Sequence, residues 1–272
     1  MAALSEFDLA PYRVRARNTA IASENKIHDD AVARRFGFAG GLVPGVEVYA
    51  YTTHLPVAQW GRAWLERGSA ECRFLAPIYD GEPAVVTGKI ADGRLELAVE
   101  SQVGLCAAGR ADLPAATAAL PSIDDFQTQP PPAIRPAVDE HTLAPGTRLG
   151  TAPFRVTAEF SARYLADVGE THSLYAAEGL CHPGILLRQC NWALTQNVVL
   201  GPWIHAGSKV QNFAVAPVDA ALAVRAAVTA NYERKGHRFV DLDAWVFAGG
   251  RAVARVGHTA IWRPRQLAAH TT

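Results

Sequence analysis

The 272-residue chain has few charged side chains and no excess of either sign. Charged residues make up 19% of the sequence, and 26 basic side chains balance 26 acidic ones. Proteins that bind nucleic acid usually present a basic face, and no basic stripe is visible along this chain. We therefore expect no nucleic-acid partner. The low charge content also indicates that much surface is buried between subunits, which predicts a homo-oligomer.

Long apolar runs and targeting signals are also lacking. No stretch of about 18 uncharged apolar residues occurs, which argues against a membrane-spanning helix. The first residues, Met-Ala-Ala-Leu-Ser-Glu, lack the basic start and apolar core of a secretory signal. The sequence therefore predicts a cytoplasmic protein without a membrane partner.

Cysteine is scarce, and no pair has the Cys-x-x-Cys spacing. In a cytoplasmic protein, we expect the four cysteines to be reduced thiols in the core; they are Cys72, Cys106, Cys181 and Cys190. Cys181 is adjacent to His182, but a small buried side chain is a better interpretation than a nucleophile. The histidines show no ligand spacing, so no metal site is expected.

The first half of the chain is predicted to form a buried helix followed by strands. Residues 45–60 are apolar on most faces, which predicts a helix buried nearly all round. Pro56 is expected to bend or end it. Asp30 is expected to cap a preceding short helix that Gly37 ends. Strands are predicted over residues 13–21, 70–76, 83–90, 94–103 and 105–113.

The second half repeats this order. Helical patterns cover residues 158–168 and 185–200, with a polar cluster between them. Strands are predicted over residues 208–215, 221–231, 237–247 and 251–262.

A residue-by-residue match supports the repeat. Trp64-Leu65-x-x-Gly68-Ser69-x-x-x-x-Phe74 corresponds to Trp203-Ile204-x-x-Gly207-Ser208-x-x-x-x-Phe213. Pro44-Gly45 and Pro183-Gly184 lie equally far upstream of these two blocks. The repeat is too long for a solenoid, so it indicates two copies of one domain. The predicted fold is α+β, with each copy a long central helix wrapped by an antiparallel sheet.

The domain boundaries follow from composition. Residues 1–113 form the first predicted domain, and residues 151–272 form the second. Residues 114–150 lose all periodicity and contain Pro-Pro-Pro at positions 130–132, so they are predicted to be a linker.

The polar loop before the first apolar helix contains Asn25-x-Ile27-His28, and Pro44-Gly45 follows at the start of the helix. In this order the chain resembles the MaoC-like hydratases and dehydratases of the hot-dog fold. Their motif runs roughly Asp-x-Asn-Pro-Ile-His, followed later by a His-Gly step into the central helix. The resemblance covers nearly the whole chain and implies two tandem hot-dog domains, packed sheet edge to sheet edge as a pseudo-dimer.

The resemblance also implies a reaction, namely the reversible addition of water to a 2-enoyl thioester. The partner would be an acyl thioester of coenzyme A or of acyl carrier protein. No cofactor is implied, because the coenzyme A or phosphopantetheine group is part of the substrate.

In the first half, the resemblance implies that His28 is the base that activates water and that Asn25 orients that water. Ser23 stands where the motif has its Asp. The N–H groups at the helix start, beside Pro44 and Gly45, would hold the thioester carbonyl.

In the second half, Glu170 stands at the place of the Asp, His172 at that of the Asn, and Tyr175 at that of the His. His182 and Gly184 would then bind substrate at the start of the second apolar helix. Neither copy has the complete Asp–His pair, so which half holds the working site stays open.

Two other functions remain open from the sequence. The incomplete pair is also compatible with a non-catalytic acyl-thioester-binding or assembly subunit. A thioesterase is the further alternative, because the hot-dog fold also supports hydrolysis of the same substrates.

Overall fold

Two buried helices lie at the centre of the fold, packed against one continuous antiparallel sheet. The structure is a computed structural model, and it describes residues 6–120, 127 and 129–268. The helices in chain order are α1 (Asp30–Arg35), α2 (Gly45–Trp60), α3 (Arg62–Arg67), α4 (Ala158–Asp167), α5 (Leu174–Glu178), α6 (Pro183–Thr195) and α7 (Arg265–Ala268). A 3-10 helix at Lys26–His28 precedes α1.

Twelve strands form the sheet among the described residues. The first half contributes β1 (Phe7–Asp8), β2 (Tyr12–Arg15), β3 (Ser69–Phe74), β4 (Pro83–Ala91), β5 (Arg94–Ser101) and β6 (Gly104–Asp112). The second half contributes β7 (Arg148–Gly150), β8 (Phe154–Arg155), β9 (Ile204–Asn212), β10 (Ala221–Arg234), β11 (His237–Ala248) and β12 (Arg251–Arg263). The predicted strands are confirmed, although the first ends at Arg15 rather than at residue 21.

The strand order is β1-β4-β5-β6-β3-β9-β12-β11-β10-β7, with β2 also paired to β4 and β8 to β10. The two halves of this order mirror each other about the β3–β9 pair. The predicted edge-to-edge packing of two repeated units is therefore present.

The register of the β3–β9 pair agrees with the sequence repeat. Ser69 pairs with Gln211, and Cys72 pairs with Ser208. The repeat makes Gly68 equivalent to Gly207, so Ser69 corresponds to Ser208 and Cys72 corresponds to Gln211. The Ser69–Gln211 pair is therefore equivalent to the Cys72–Ser208 pair. The internal pseudo-two-fold axis therefore passes through this strand pair.

Helix α2 is buried on almost every side, as its apolar composition predicts; Tyr49 and Val57 have no exposed surface. Pro56 does not end it, since the helix continues to Trp60, and Gly61 then stops it with φ of +58°. Proline inside a helix costs about 3 kcal/mol. Burial of the side chains around it, at about 1.5–3 kcal/mol for each large apolar residue, offsets that cost.

The cap of helix α1 lies one residue before the predicted position. The carboxylate of Asp29 accepts a hydrogen bond from Val32 N at 2.9 Å, so Asp29 is the N-cap. Asp30 is the first helical residue, and its Oδ1 accepts from Gly41 N at 2.8 Å. Asp29 has the extended backbone that a cap requires, which explains the difference.

The end of the predicted linker packs against the second unit. Strand β7 pairs with β10, much as β1 and β2 pair with β4 in the first half. Ala137 forms a bridge with Val199, and Leu143 is fully buried. The second unit therefore begins before residue 151. Positions 121–126 and 128 of the predicted linker lie outside the described residues.

The four cysteines are free and buried, as the sequence predicts. Burial raises the pKa of the Cys181 thiol to about 12, so this thiol is a poor nucleophile. Across the part of the chain that the structure describes, no helix is long and apolar enough to span a membrane.

Gly184, near the start of α6, has no room for a side chain. A Cβ at this position would lie 2.1 Å from the hydroxyl oxygen of Tyr164 and 2.8 Å from the Cβ of Ala50 on α2. We predict that Gly184→Ala lowers the free energy of unfolding by about 1–3 kcal/mol through overpacking, measured by urea denaturation.

Gly257→Ala is the matched control for this prediction. A Cβ at position 257 meets Lys209 only at an ordinary contact distance of 3.8 Å. Its effect on the free energy of unfolding should stay within about 0.5 kcal/mol. Equal losses for the two variants would contradict the close packing of α6 against α2.

Candidate active site

A cavity of about 230 Å³ opens beside the first turn of α2. Its wall is mostly apolar, and we call it the apolar cavity; Ile27, Phe38, Leu42, Val48 and Phe74 are among its lining residues. A second cavity of about 520 Å³ lies on the other side of the same turn. We call it the polar cavity, since it is lined by Thr19, Glu47, Arg135, Arg188 and Gln196 among others.

The two cavities share part of their walls. Five residues line both cavities, and we call them the shared rim: Asn25, His28, Pro44, Asn191 and Trp203. Three of the predicted site residues are therefore brought together where the cavities meet. Asn191 on α6 and Trp203 before β9 come from the second half of the chain, so both repeats build this rim.

His28 presents a nitrogen lone pair at the shared rim. Its Nδ1 lies 2.6 Å from the carbonyl oxygen of Leu42. A carbonyl only accepts, so Nδ1 carries the hydrogen, and Nε2 of the neutral ring keeps its lone pair. Burial lowers the pKa of His28, although the Leu42 hydrogen bond and the charge of Glu47 oppose this shift. The neutral ring is consequently the form present at pH 7.

Asn25 ties the loop that carries His28 to the second half of the chain. Its side-chain amide accepts from Trp203 N at 3.1 Å and donates to Trp203 O at 3.0 Å. The same Nδ2 lies 3.3 Å from His28 Nε2, which is long for a hydrogen bond. Asn25 is thus held by main chain, and it leaves the lone pair of His28 weakly engaged.

The start of α2 supplies backbone donors to the same place. Pro44 is the N-cap residue, and its carbonyl accepts from Glu47 N and Val48 N. The N–H groups of the first helical residues have no intrahelical acceptor, and the helix dipole adds positive potential there. Gly45 lines the apolar cavity and Val46 the polar cavity. An oxygen that gains negative charge would be stabilised at this point.

Ser23 also lies in this region, on the wall of the polar cavity. Its hydroxyl donates to the carbonyl oxygen of Asn25 at 3.3 Å. Because the hydroxyl bonds to main chain of the same loop, its contact supports the loop that carries Asn25 and His28.

Sequence reasoning missed a buried ion pair between the two central helices. Glu47 on α2 is 1% exposed, and its carboxylate accepts hydrogen bonds from Arg188 on α6, Thr19 and Tyr164. One acidic and one basic residue, each inside an otherwise apolar run, were the signal that could have revealed it. The pair ties α2 to α6 beside the polar cavity.

The predicted second-half residues form a separate buried cluster. The side chain of Glu170 is 2% exposed, and it accepts from His54 Nδ1 at 2.8 Å and from His172 N at 2.6 Å. His182 Nδ1 accepts from Gly184 N at 3.1 Å, so its Nε2 carries the hydrogen and points to Glu170 Oε2 at 3.5 Å.

Tyr175 belongs to the same cluster, with its ring centroid 4.8 Å from that of His182. Neither the apolar nor the polar cavity is lined by any of these five second-half residues: Glu170, His172, Tyr175, His182 and Gly184. The two predicted groups therefore differ, since residues of the first group line these two cavities and residues of the second do not.

No set of three or more His, Cys, Asp or Glu side chains in the described ranges is arranged to hold a metal ion.

No protein-family model matches the chain, and no curated protein matches it. Solved structures do match. A protein of Chloroflexus aurantiacus J-10-fl named as a MaoC domain dehydratase superposes with a TM-score of 0.63 at 10% identity, over 97% of this chain and 96% of that one. A conserved hypothetical protein of Mycobacterium tuberculosis, described as having a double hotdog fold, gives 0.63 at 16% identity, over 96% of both chains. The chain has a double hot-dog fold.

A third structure, named as a MaoC-like dehydratase, gives a TM-score of 0.59 at 11% identity, over 95% of this chain and 98% of that one. The double hot-dog architecture predicted from the sequence is therefore confirmed along almost the entire chain. At these identities the likeness concerns the fold, and activity must be argued from the site itself.

The Glu170 cluster should make stability depend on pH. Burial alone would raise the pKa of this carboxyl, but hydrogen bonds from His182 and His54 outweigh it and hold the pKa below its ordinary value of 4.5. The ionised form thus stabilises the fold above pH 4.5, and its contribution is lost as the pH falls further. We predict that Glu170→Gln lowers the free energy of unfolding by about 1.5–3 kcal/mol at pH 7.

This loss should shrink as the pH is lowered below 4.5, measured by urea denaturation across a pH series. Glu178→Gln is a control, since that carboxylate makes a half-exposed surface ion pair with Arg62. Its loss should be below about 1 kcal/mol at every pH. A pH-independent effect of Glu170→Gln would show that the charge of this carboxylate is not what stabilises the cluster.

Proposed function

We propose that this protein adds water reversibly to a 2-enoyl thioester, carried on coenzyme A or on an acyl carrier protein. The observation that carries the proposal is the juxtaposition at the shared rim. There, His28, with the Nε2 lone pair, lines both cavities, and the first residues of α2, Gly45 and Val46, line one cavity each. Hydration of an enoyl thioester needs a base for water and donors for the thioester oxygen, and these are the two groups present.

In the proposed reaction, His28 carries one proton from water to the substrate. His28 Nε2 takes a proton from water as the water oxygen bonds to C3 of the enoyl group. The electrons of the double bond move toward the thioester carbonyl oxygen, which gains negative charge. The N–H groups of Gly45 and Val46 stabilise that charge. The imidazolium then returns a proton to C2, which gives the 3-hydroxyacyl thioester; dehydration is the reverse.

Gly45 lets the start of α2 pack closely against β3 and β9. A Cβ at this position would lie 3.0 Å from a ring carbon of Phe74 and 3.0 Å from His205 Nδ1. A larger residue would therefore push these side chains or the first turn of α2 out of place. In the proposed function, Pro44 sets the direction of the first turn, and Asn25 keeps His28 in place.

The site works without an aspartate beside the histidine. Ser23 stands at the place that the family resemblance gives to Asp, and it bonds to main chain rather than to His28. Glu47 lies on the wall of the polar cavity, and its charge favours the protonated form of His28. We infer that Glu47 stabilises the imidazolium formed during the reaction.

A non-catalytic acyl-thioester-binding protein is the second candidate. The absence of an Asp side chain at position 23 favours it, because one of the two groups of the usual pair is then missing. The reaction itself separates the candidates, since a binding protein retains 2-enoyl-CoA without converting it. Release of free thiol from the same substrate would identify a thioesterase instead.

Removal of the base should abolish most turnover. We predict that His28→Ala lowers kcat/KM for hydration of crotonyl-CoA by about 10²–10⁴-fold, the usual contribution of a positioned general base. The loss of absorbance of the conjugated thioester measures the rate. His141→Ala, which removes an exposed imidazole, should keep wild-type activity. Undiminished turnover by a folded His28→Ala protein would reject the assignment.

The pH profile should report the state of His28. Since burial lowers its pKa below 6.5, the ring stays neutral and able to accept a proton down to a more acidic pH than a free histidine. We predict that kcat/KM is constant around pH 7 and falls only as the pH drops below 6.5. A profile that rises through pH 7–8 would instead point to a different base.

A further inference from the structure

Helix α6 carries a side-chain amide of the second half to the shared rim. Asn191 lines both the apolar and the polar cavity. It is half-buried, and within the described part of the chain its carboxamide makes no hydrogen bond. Its Oδ1 is buried, whereas its Nδ2 keeps accessible surface, so the end of the side chain that a ligand can reach is the donor. Because most polar groups inside proteins are paired, this unpaired amide is a candidate for contact with a ligand.

The other four residues of the shared rim offer no accessible donor. The Nδ2 of Asn25 donates to Trp203 O and lies against His28 Nε2. His28 uses its Nδ1 hydrogen on a main-chain carbonyl. Pro44 has no N–H group, and Nε1 of Trp203 is buried. Of the five rim residues, only Asn191 therefore presents an unused N–H to the cavities.

The packing of α6 against α2 has a clear direction. A Cβ on Gly184, near the start of α6, would lie 2.8 Å from the Cβ of Ala50. One turn further along α6, Arg188 donates to the carboxylate of Glu47, which lies nearer the start of α2 than Ala50 does. The contact thus moves forward along α6 as it moves back along α2. The two helices run antiparallel where they touch.

This direction places Asn191 beside the first turn of α2. Asn191 is three residues beyond Arg188, and Pro44 is three residues before Glu47, which is about one helical turn in each case. Asn191 and Pro44 therefore lie at the same level of the helix pair, as their common place on the shared rim confirms. Helix N–H groups point toward the N-terminus, so an oxygen bound by Gly45 N also lies at this level.

The thioester oxygen gains negative charge as water adds to the enoyl group, and each further donor at this oxygen stabilises the transition state. We propose that Asn191 Nδ2 donates a hydrogen bond to the thioester carbonyl oxygen, beside the main-chain N–H groups of Gly45 and Val46. Asn191 is then a catalytic residue supplied by the second repeat, and the oxyanion site is built from both repeats. This inference rests on the proposed function, since it concerns the same substrate and the same oxygen.

Kinetics of two variants test the inference. Asn191→Leu removes the donor at similar volume, and Asn191→Ala removes it without any risk of overpacking. Each should lower kcat for hydration of crotonyl-CoA by about 10²–10³-fold, the usual cost of removing one side-chain donor from an oxyanion site. KM should change far less than kcat, because the full charge develops on the oxygen only in the transition state.

Gln189→Leu is the matched control on the same helix. The carboxamide of Gln189 is fully buried and also has no hydrogen-bond partner, but Gln189 lines neither cavity. Replacing an unpaired buried amide by an apolar side chain of similar size removes no hydrogen bond. Gln189→Leu should therefore keep the wild-type kcat and KM.

Infrared difference spectra test the same contact without turnover. The ligand is butyryl-CoA labelled with ¹³C at the thioester carbonyl, titrated into the intact protein. Hydrogen bonds to a carbonyl oxygen lower its stretching frequency, so the bound carbonyl should absorb at lower frequency than the free one. Asn191→Leu and Asn191→Ala should lose part of this shift, whereas Gln189→Leu should retain all of it.

The outcomes separate this inference from the proposed function. If the wild type hydrates crotonyl-CoA, and the Asn191 variants keep both kcat and the carbonyl shift, the inference is overturned and the proposed function stands. A raised KM with unchanged kcat and carbonyl shift would place Asn191 against another part of the substrate, which also overturns it. If the wild type does not turn over crotonyl-CoA, the proposed function fails. A carbonyl shift that depends on Asn191 would then support the same contact in a thioester-binding protein, and the lack of any shift would overturn both.

Discussion

The pairing of β3 with β9 is the contact on which the rest of the structure depends. It joins two repeated units into one sheet, and its register is consistent with an internal two-fold axis. Because of this pairing, Trp203 and His205 of the second unit lie against Asn25 and Gly45 of the first. The candidate active site therefore belongs to neither repeat alone. A slip of the register by one residue would turn each side chain of β9 to the opposite face and dismantle the site.

Two buried charged clusters sit between the central helices, and they differ in their surroundings. The Glu47–Arg188 pair borders the polar cavity, whereas Glu170 is enclosed by His54 and His182 away from both cavities. Buried ion pairs contribute little net stability against a well-packed apolar core, but loss of one partner is costly. Their effect here is to fix how α2 lies against α6. The Glu170 cluster, which contains the residues predicted for a second site, therefore has a structural role. The polar side chains that line the two cavities include Asn25 and His28 of the first predicted site.

The elements that sequence reasoning located well are those with strong local patterns. Strands β4, β5, β10 and β12 alternate between buried and less buried residues over much of their length, and α2 is apolar on most faces. The errors occurred where two local choices compete. Asp29 and Asp30 can both cap a helix, and only the backbone conformation decides between them. Proline normally disfavours the interior of a helix, but the burial of α2 on almost every side keeps the helix intact through Pro56.

For the site, the sequence by itself determined the two-fold repeat, the helix start at Pro44-Gly45 and the polar loop that holds Asn25 and His28. Spacing along the chain is enough for these, because each lies within one local segment. Only the tertiary structure decided that His28 lines both the apolar and the polar cavity while Tyr175 lines neither, and that His205 and Asn191 join the wall of the apolar cavity. The physical reason is that such contacts span more than a hundred residues, and they depend on how two units dock through strand pairing. A local sequence pattern cannot predict which polar side chains will lack a hydrogen-bond partner once the two units have docked.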